Sequence, residues 1–187
     1  MKSLRLMLPV VLLSLSAVAF AQSDAEKSSV VPAPSAAQKS FATMKSLAGE
    51  WEGPVSVADM PEMSGGLMHF SLRVTSRGNV LVHELQEAGT PLDATKYDHP
   101  VTMVYLDGDQ LTLVHYCDAG NRPRMTGKMS PEGKTVEFEL LDISGSTEVH
   151  MHHAVFTLID ANHHTEDWTF MVKDKPIHAH FDLKRAQ

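Results

Sequence analysis

Histidine is the residue type in excess here, with 11 copies against 3 tyrosines and 2 tryptophans. On a β-strand, residues i and i+2 share a face. Three pairs have that spacing: His115/Cys117, His150/His152 and His178/His180. Two such side chains on one strand face supply half of a zinc or copper site. His115, His150 and His152 are therefore candidate metal ligands. His178 and His180 lie opposite an apolar stripe and read as solvent-facing. His163 and His164 fall in a turn and read as surface residues. The sequence has no CxxC pair and no HExxH, since His83-Glu84 lacks the second histidine.

A second group of polar residues sits near apolar stripes: Glu84, Tyr105, Tyr116, Arg124, Glu166 and Trp168. Glu166, Trp168, Phe170 and Val172 alternate along one face. A carboxylate in line with Trp and Phe either faces a cavity or meets a cation. Arg124 is placed to anchor an acidic head group, or to pair with Glu166 or Glu84 inside the protein. The expected ligand site is His115, Arg124, His152, Glu166 and Trp168. Catalytic motifs are missing: there is no G-x-S-x-G, no phosphate-cradling glycine loop and no dinucleotide fingerprint. His115 and Cys117, as i, i+2 neighbours, are poorly placed for a thiolate–imidazolium contact. Cys117 is the single cysteine, so the chain has no internal disulfide, and it reads as a small buried hydrophobe.

The elements that must position these residues are mostly strands. Ser35-Ala-Ala-Gln38 fits a capping box, and Phe41, Met44 and Leu47 follow at helical spacing, which predicts a short helix from Ala36 to Ala48. After Gly49 the period becomes two. Candidate strands are Glu50–Val57, Leu67–Thr75, Val80–Ala88, Val101–Leu106, Leu111–Cys117, Arg124–Met129, Thr135–Leu141, His150–Ile159, His164–Lys173 and Ile177–Lys184. Turn chemistry separates them, as at Asp107-Gly108, Pro131-Glu132-Gly133 and Ser144-Gly145-Ser146. An open meander of that many strands leaves two exposed edges, and closure removes them. The predicted fold class is all-β: a ten-stranded antiparallel up-and-down barrel with a short N-terminal helix. An internal cavity would mix apolar lining with a few polar groups, as the face Leu111, Leu113, His115, Cys117 does.

Residues 1–21 read as a cleavable leader. Lys2 and Arg5 are followed by an apolar run from Leu6 to Ala19 and by Ala19-Phe20-Ala21, a small-x-small site before Gln22. The apolar run is short for a bilayer span. Residues 22–34 are rich in Ser, Ala, Val and Pro and read as a disordered tether, leaving 35–187 as the barrel domain. The expected location is periplasmic or secreted. Loss of Lys2 and Arg5 takes the formal charge from −7 to −9. That acidity argues against nucleic acid and anionic membrane as partners, and no membrane insertion is expected.

Leu47-Ala-Gly49-Glu-Trp51-Glu-Gly53 resembles the opening of the calycins, the lipocalin and fatty-acid-binding superfamily. In that superfamily a G-x-W motif follows a short helix and closes one barrel end, with a basic residue from the last strand against the tryptophan. The resemblance implies that role for Trp51 and Arg185. Ten strands suit the fatty-acid-binding and nitrobindin branch. Nitrobindins continue the motif with further glycines and bind haem through a late histidine, whereas here Gly53 is followed by Pro54-Val55. HYCDAGNRPRM, MHH and HHTEDWTF also resemble small exported bacterial lipocalin-like proteins of unknown function. The leading functional reading is an exported protein that holds a small, largely apolar ligand inside the barrel and needs no cofactor. The alternative is a zinc, copper or haem protein using histidines of the second half. A small enzyme in the same cavity comes third.

Overall fold

Ser35 caps the first element of the described residues. In the computed structural model, which describes residues 32–186, the Ser35 side chain accepts the Gln38 backbone N–H, and Gln38 Oε1 accepts the Ser35 N–H. This reciprocal cap opens helix α1 (Ala36–Ser46), which buries Phe41 and Met44. The helix stops at Ser46 rather than Ala48, with Leu47 as its C-cap. The leader expected over residues 1–21 lies outside the described residues, as does the tether apart from residues 32–34.

Ten strands follow: β1 (Gly49–Val57), β2 (Leu67–Thr75), β3 (Val80–Glu87), β4 (Val101–Asp107), β5 (Gln110–Tyr116), β6 (Arg122–Met129), β7 (Thr135–Ser144), β8 (Val149–Asp160), β9 (His163–Val172) and β10 (Lys175–Arg185). Each pairs antiparallel with its neighbours in sequence, and β1 pairs with β10, so the sheet closes into a barrel. Residues alternate between the inside and the outer wall. The expected inward stripes are present: Val136, Phe138 and Leu140 on β7, and Ile177, Ala179, Phe181 and Leu183 on β10. His178 and His180 point outward, as read from the sequence. Among the described residues no helix is long and apolar enough to cross a membrane.

One barrel end is closed by the G-x-W motif. Trp51 is fully buried, and its indole N–H donates to the Leu47 carbonyl at 2.8 Å. The Arg185 guanidinium lies 4.1 Å from the Trp51 ring centroid and donates to the carbonyls of Ala48 and Ala161. Gly49 is required here for two reasons. Its φ is +143°, and a Cβ at that position would fall 2.1 Å from Arg185 Nη1. Gly53 has a different reason, because a Cβ there would meet the Asp182 carbonyl oxygen at 1.9 Å.

Arg185→Met keeps the aliphatic stem and removes the cation and its hydrogen bonds. We expect it to lower stability by about 1–3 kcal/mol, combining a cation–π contact with lost charge-assisted bonds. Urea unfolding checks this. An unchanged midpoint would mean that the guanidinium does not hold the barrel end.

Candidate functional site

Inside the barrel, a carboxylate sits where apolar packing would be expected. Glu166 on β9 is fully buried, in line with His164 and Trp168 on the inward face. Burial alone would push its pKa up. Three donors oppose that: His83 Nε2 lies 3.0 Å from Oε2, His164 Nε2 lies 3.1 Å from Oε1, and the Trp168 indole N–H donates to Oε2 at 2.8 Å. The imidazoles outweigh burial and hold the carboxyl down to about 2.

The strand register builds the rest of the cluster. His83 on β3 pairs with Thr102 on β4, which pairs with His115 on β5. All three are buried and inward. Thr102 Oγ1 lies 2.8 Å from His115 Nδ1. Burial, with His83 nearby, pushes the His115 imidazole down to about 3, so it is neutral at ordinary pH. The Trp168 ring stands between the two imidazoles, 5.7 Å from His83 and 5.6 Å from His115. His164 meets Trp51 edge-on at 4.2 Å. A continuous spine therefore runs from the closed end to the middle: Arg185, Trp51, His164, Glu166, then His83 and Trp168, then His115. His83 Nδ1, His115 Nε2 and His164 Nδ1 are buried without a protein hydrogen-bond partner.

Of the five residues expected to form the ligand site, His115, Glu166 and Trp168 do converge inside the barrel. Arg124 does not join them. It lies on the outer wall of β6, bonded to Asp142 at 2.5 Å and 4.0 Å from Asp107. Met125 takes the inward position beside a β-bulge, so the expected internal pair of Arg124 with Glu166 is not formed. Glu84 also faces outward, pairing with Ser71 and Val101 in the sheet. His152 lies in a bulge of β8 beside His150, while His115 meets Thr102 and Trp168. The structure thus does not bring His115 and His152 together.

His164 corrects the expectation of a surface turn. The turn ends before His163, so His164 is already an inward strand residue and is fully buried. His83 went unassigned, although the alternation Leu81, His83, Leu85 would have placed it on the inner wall. Cys117 is half-buried, and burial raises its pKa.

The Trp168 indole occupies the space beside His115, and Trp51 the space beside His164. Among the described residues, hollows open outside the barrel. Two, of about 460 and 360 Å³, lie beneath the segment 88–100, and one of about 510 Å³ lies between α1 and the β5–β6 hairpin. His83, His115, Glu166 and Trp168 line none of them.

The closed antiparallel barrel, its preceding helix and the Trp51–Arg185 closure define a calycin-like barrel. The fold is similar to the crystal structure of Rv2717c from M. tuberculosis, with a TM-score of 0.56 and 16% identity over 79% of this chain and 98% of that one. A protein of unknown function from the DUF3598 family of Nostoc punctiforme aligns with a TM-score of 0.49 and 10% identity over 76% of this chain, which spans about half (49%) of that longer chain. No protein-family model matches the sequence, and no curated protein does.

Proposed function

We propose that this chain is an exported binding protein whose ligand is small and largely apolar, held at the barrel end remote from α1. The observation that carries the reading is the convergence of a few polar groups beneath an incompletely covered apolar rim. Val55, Met68, Leu85, Leu140, Phe170 and Ile177 are partly buried inward residues at that end. Below them lie Trp168 and the unpartnered Nε2 of His115. A mostly apolar lining with a few placed polar groups is the usual composition of a small-molecule site. The ligand parts the rim side chains rather than filling a ready-made hollow, and its polar end meets the neutral His115 ring. The leader-like residues 1–21 support the periplasm as the location.

Titration with dansyl-undecanoic acid tests this reading. Saturable dansyl emission excited through Trp168 is the expected result. Phe170→Asp, at the partly exposed rim, should weaken binding at least tenfold, equivalent to about 1.4 kcal/mol. Absence of saturation at micromolar protein would end the proposal. A Soret band in the protein as purified would replace it with haem binding, and would require Trp168 to move.

A further inference from the structure

Most outward histidines of this barrel pair with a carboxylate. His69 pairs with Glu50, His153 with Glu137, His163 with Asp182, His178 with Asp59 and His180 with Asp167, at distances of 2.6–3.0 Å. His99 meets the Gln86 side chain. His150 and His152 instead meet each other, with His150 Nε2 lying 3.3 Å from His152 Nδ1.

This pair is built rather than incidental. The strand register sets His150 opposite Met171, on the face away from the inward Met151 and Phe170. The β8 register shifts between Met151 and His153, and this bulge carries His152 beside His150. Bulges re-aim side chains in this way. His150 is 8% exposed. Its Nδ1 lies 2.8 Å from the Thr147 carbonyl oxygen. A carbonyl only accepts, so Nδ1 carries the proton and Nε2 of the neutral ring presents a lone pair. A backbone carbonyl fixing the far nitrogen is the arrangement that orients metal-binding imidazoles. The Thr147 carbonyl belongs to the β7–β8 connection, and Asn121 Nδ2 fixes that connection by donating to the carbonyls of Ser146 and Val149.

The spacing also selects a geometry. Two nitrogens about 2.0–2.1 Å from one tetrahedral ion stand about 3.3–3.4 Å apart, whereas adjacent corners of a square stand about 2.9 Å apart. The observed 3.3 Å matches the tetrahedral case.

We infer that His150 and His152 form a chelating pair for a zinc ion, bound through His150 Nε2 and His152 Nδ1, with water in the remaining positions. This site is separate from the barrel interior and does not depend on the ligand reading above. In the metal-free protein His152 Nδ1–H donates to His150 Nε2. Binding shifts the His152 proton from Nδ1 to Nε2 and turns the two rings so that their lone pairs meet at one ion, with no net charge lost by the protein.

Zinc chloride titration against a chromophoric chelator is the test, at neutral pH, with the purified protein. One zinc per chain is expected. His152→Gln, at a partly exposed position, should weaken binding more than about tenfold, and His150→Gln the same or more. Nitrogen-15 imidazole resonances of these two rings should shift on addition of zinc, while those of His178 and His180 stay in place. His153→Ala is the decisive control, because Glu137, Glu139 and His153 are the one group of three ligand-type side chains clustered among the described residues. Zinc binding lost with His153→Ala and retained with His152→Gln would overturn the inference. No binding at millimolar zinc, or full affinity in both glutamine variants, would do the same.

Discussion

Glu166→Ala lowers the free energy of unfolding by about 3–5 kcal/mol, the usual cost of removing one partner from a buried charged network. The number follows from what is left behind. The imidazoles of His83 and His164 and the Trp168 indole all direct donors at this carboxylate, at 2.8–3.1 Å, with no solvent to replace it. Each orphaned donor retains its desolvation penalty of about 1–3 kcal/mol. A native protein has only about 5–15 kcal/mol in total, so the variant folds marginally. Glu166→Gln keeps the shape and two of the hydrogen bonds while turning its amide donors on an imidazole N–H, and it falls between the two. The double variant Glu166→Leu/His83→Leu should lose less than the sum of its single changes, because the partners disappear together. Urea unfolding measures the parent and each variant, including the Glu166→Leu and His83→Leu single changes. A Glu166→Ala variant within about 1 kcal/mol of the parent would show that the buried network does not hold the barrel together.

The second large effect is acid sensitivity set by His115. In the unfolded chain this imidazole titrates near the ordinary 6.5, and in the barrel burial holds it down to about 3. Between those values the unfolded state binds one more proton than the folded state, so stability rises with pH there. The neutral ring's contribution is complete above about pH 6.5 and is lost as pH falls toward about 3. The full loss amounts to about 4–5 kcal/mol, of which about 2 kcal/mol falls between pH 7 and pH 5. Glu166 acts with the same sign in a lower window, from its ordinary 4.5 down to about 2. Thr102→Val/His115→Leu removes the imidazole together with its hydroxyl partner, leaving neither unsatisfied. Its stability should fall less steeply between pH 7 and pH 5, by close to one proton in the linkage slope. Identical slopes in the parent and the double variant would mean that His115 is not held neutral.

The fold was legible because its signals are local. Ser35 and Gln38 lie three residues apart, and the capping box they predict is formed. Val136, Phe138 and Leu140 declare their face by alternation alone, and that face is inward. Trp51 and Arg185 were paired through the resemblance to calycins, since no local pattern links residues so far apart. The interior was harder to read. Facing cannot be told for Arg124, where a bulge shifts register between Arg124 and Met125 and both residues border apolar neighbours. His164 was misplaced because it was read from the adjoining turn rather than from the alternation that sets it on the face of Glu166 and Trp168. The bond from His83 to Glu166 spans 83 residues and depends on closure across the barrel. A single sequence carries no periodicity that expresses such a contact.

The pairing of β1 with β10 also sets an order of events. Every other strand pair is consecutive in the chain, so its two halves leave the ribosome close together. The Trp51–Arg185 seam is different. Its early half waits for the whole intervening chain, and closing that long loop carries the largest entropic cost in the barrel. Until β10 arrives, β1 presents a free edge and the barrel cannot close over its buried carboxylate. A chain cut short of β10 therefore keeps β1 as an unpaired strand edge, the feature that edge-to-edge pairing exploits.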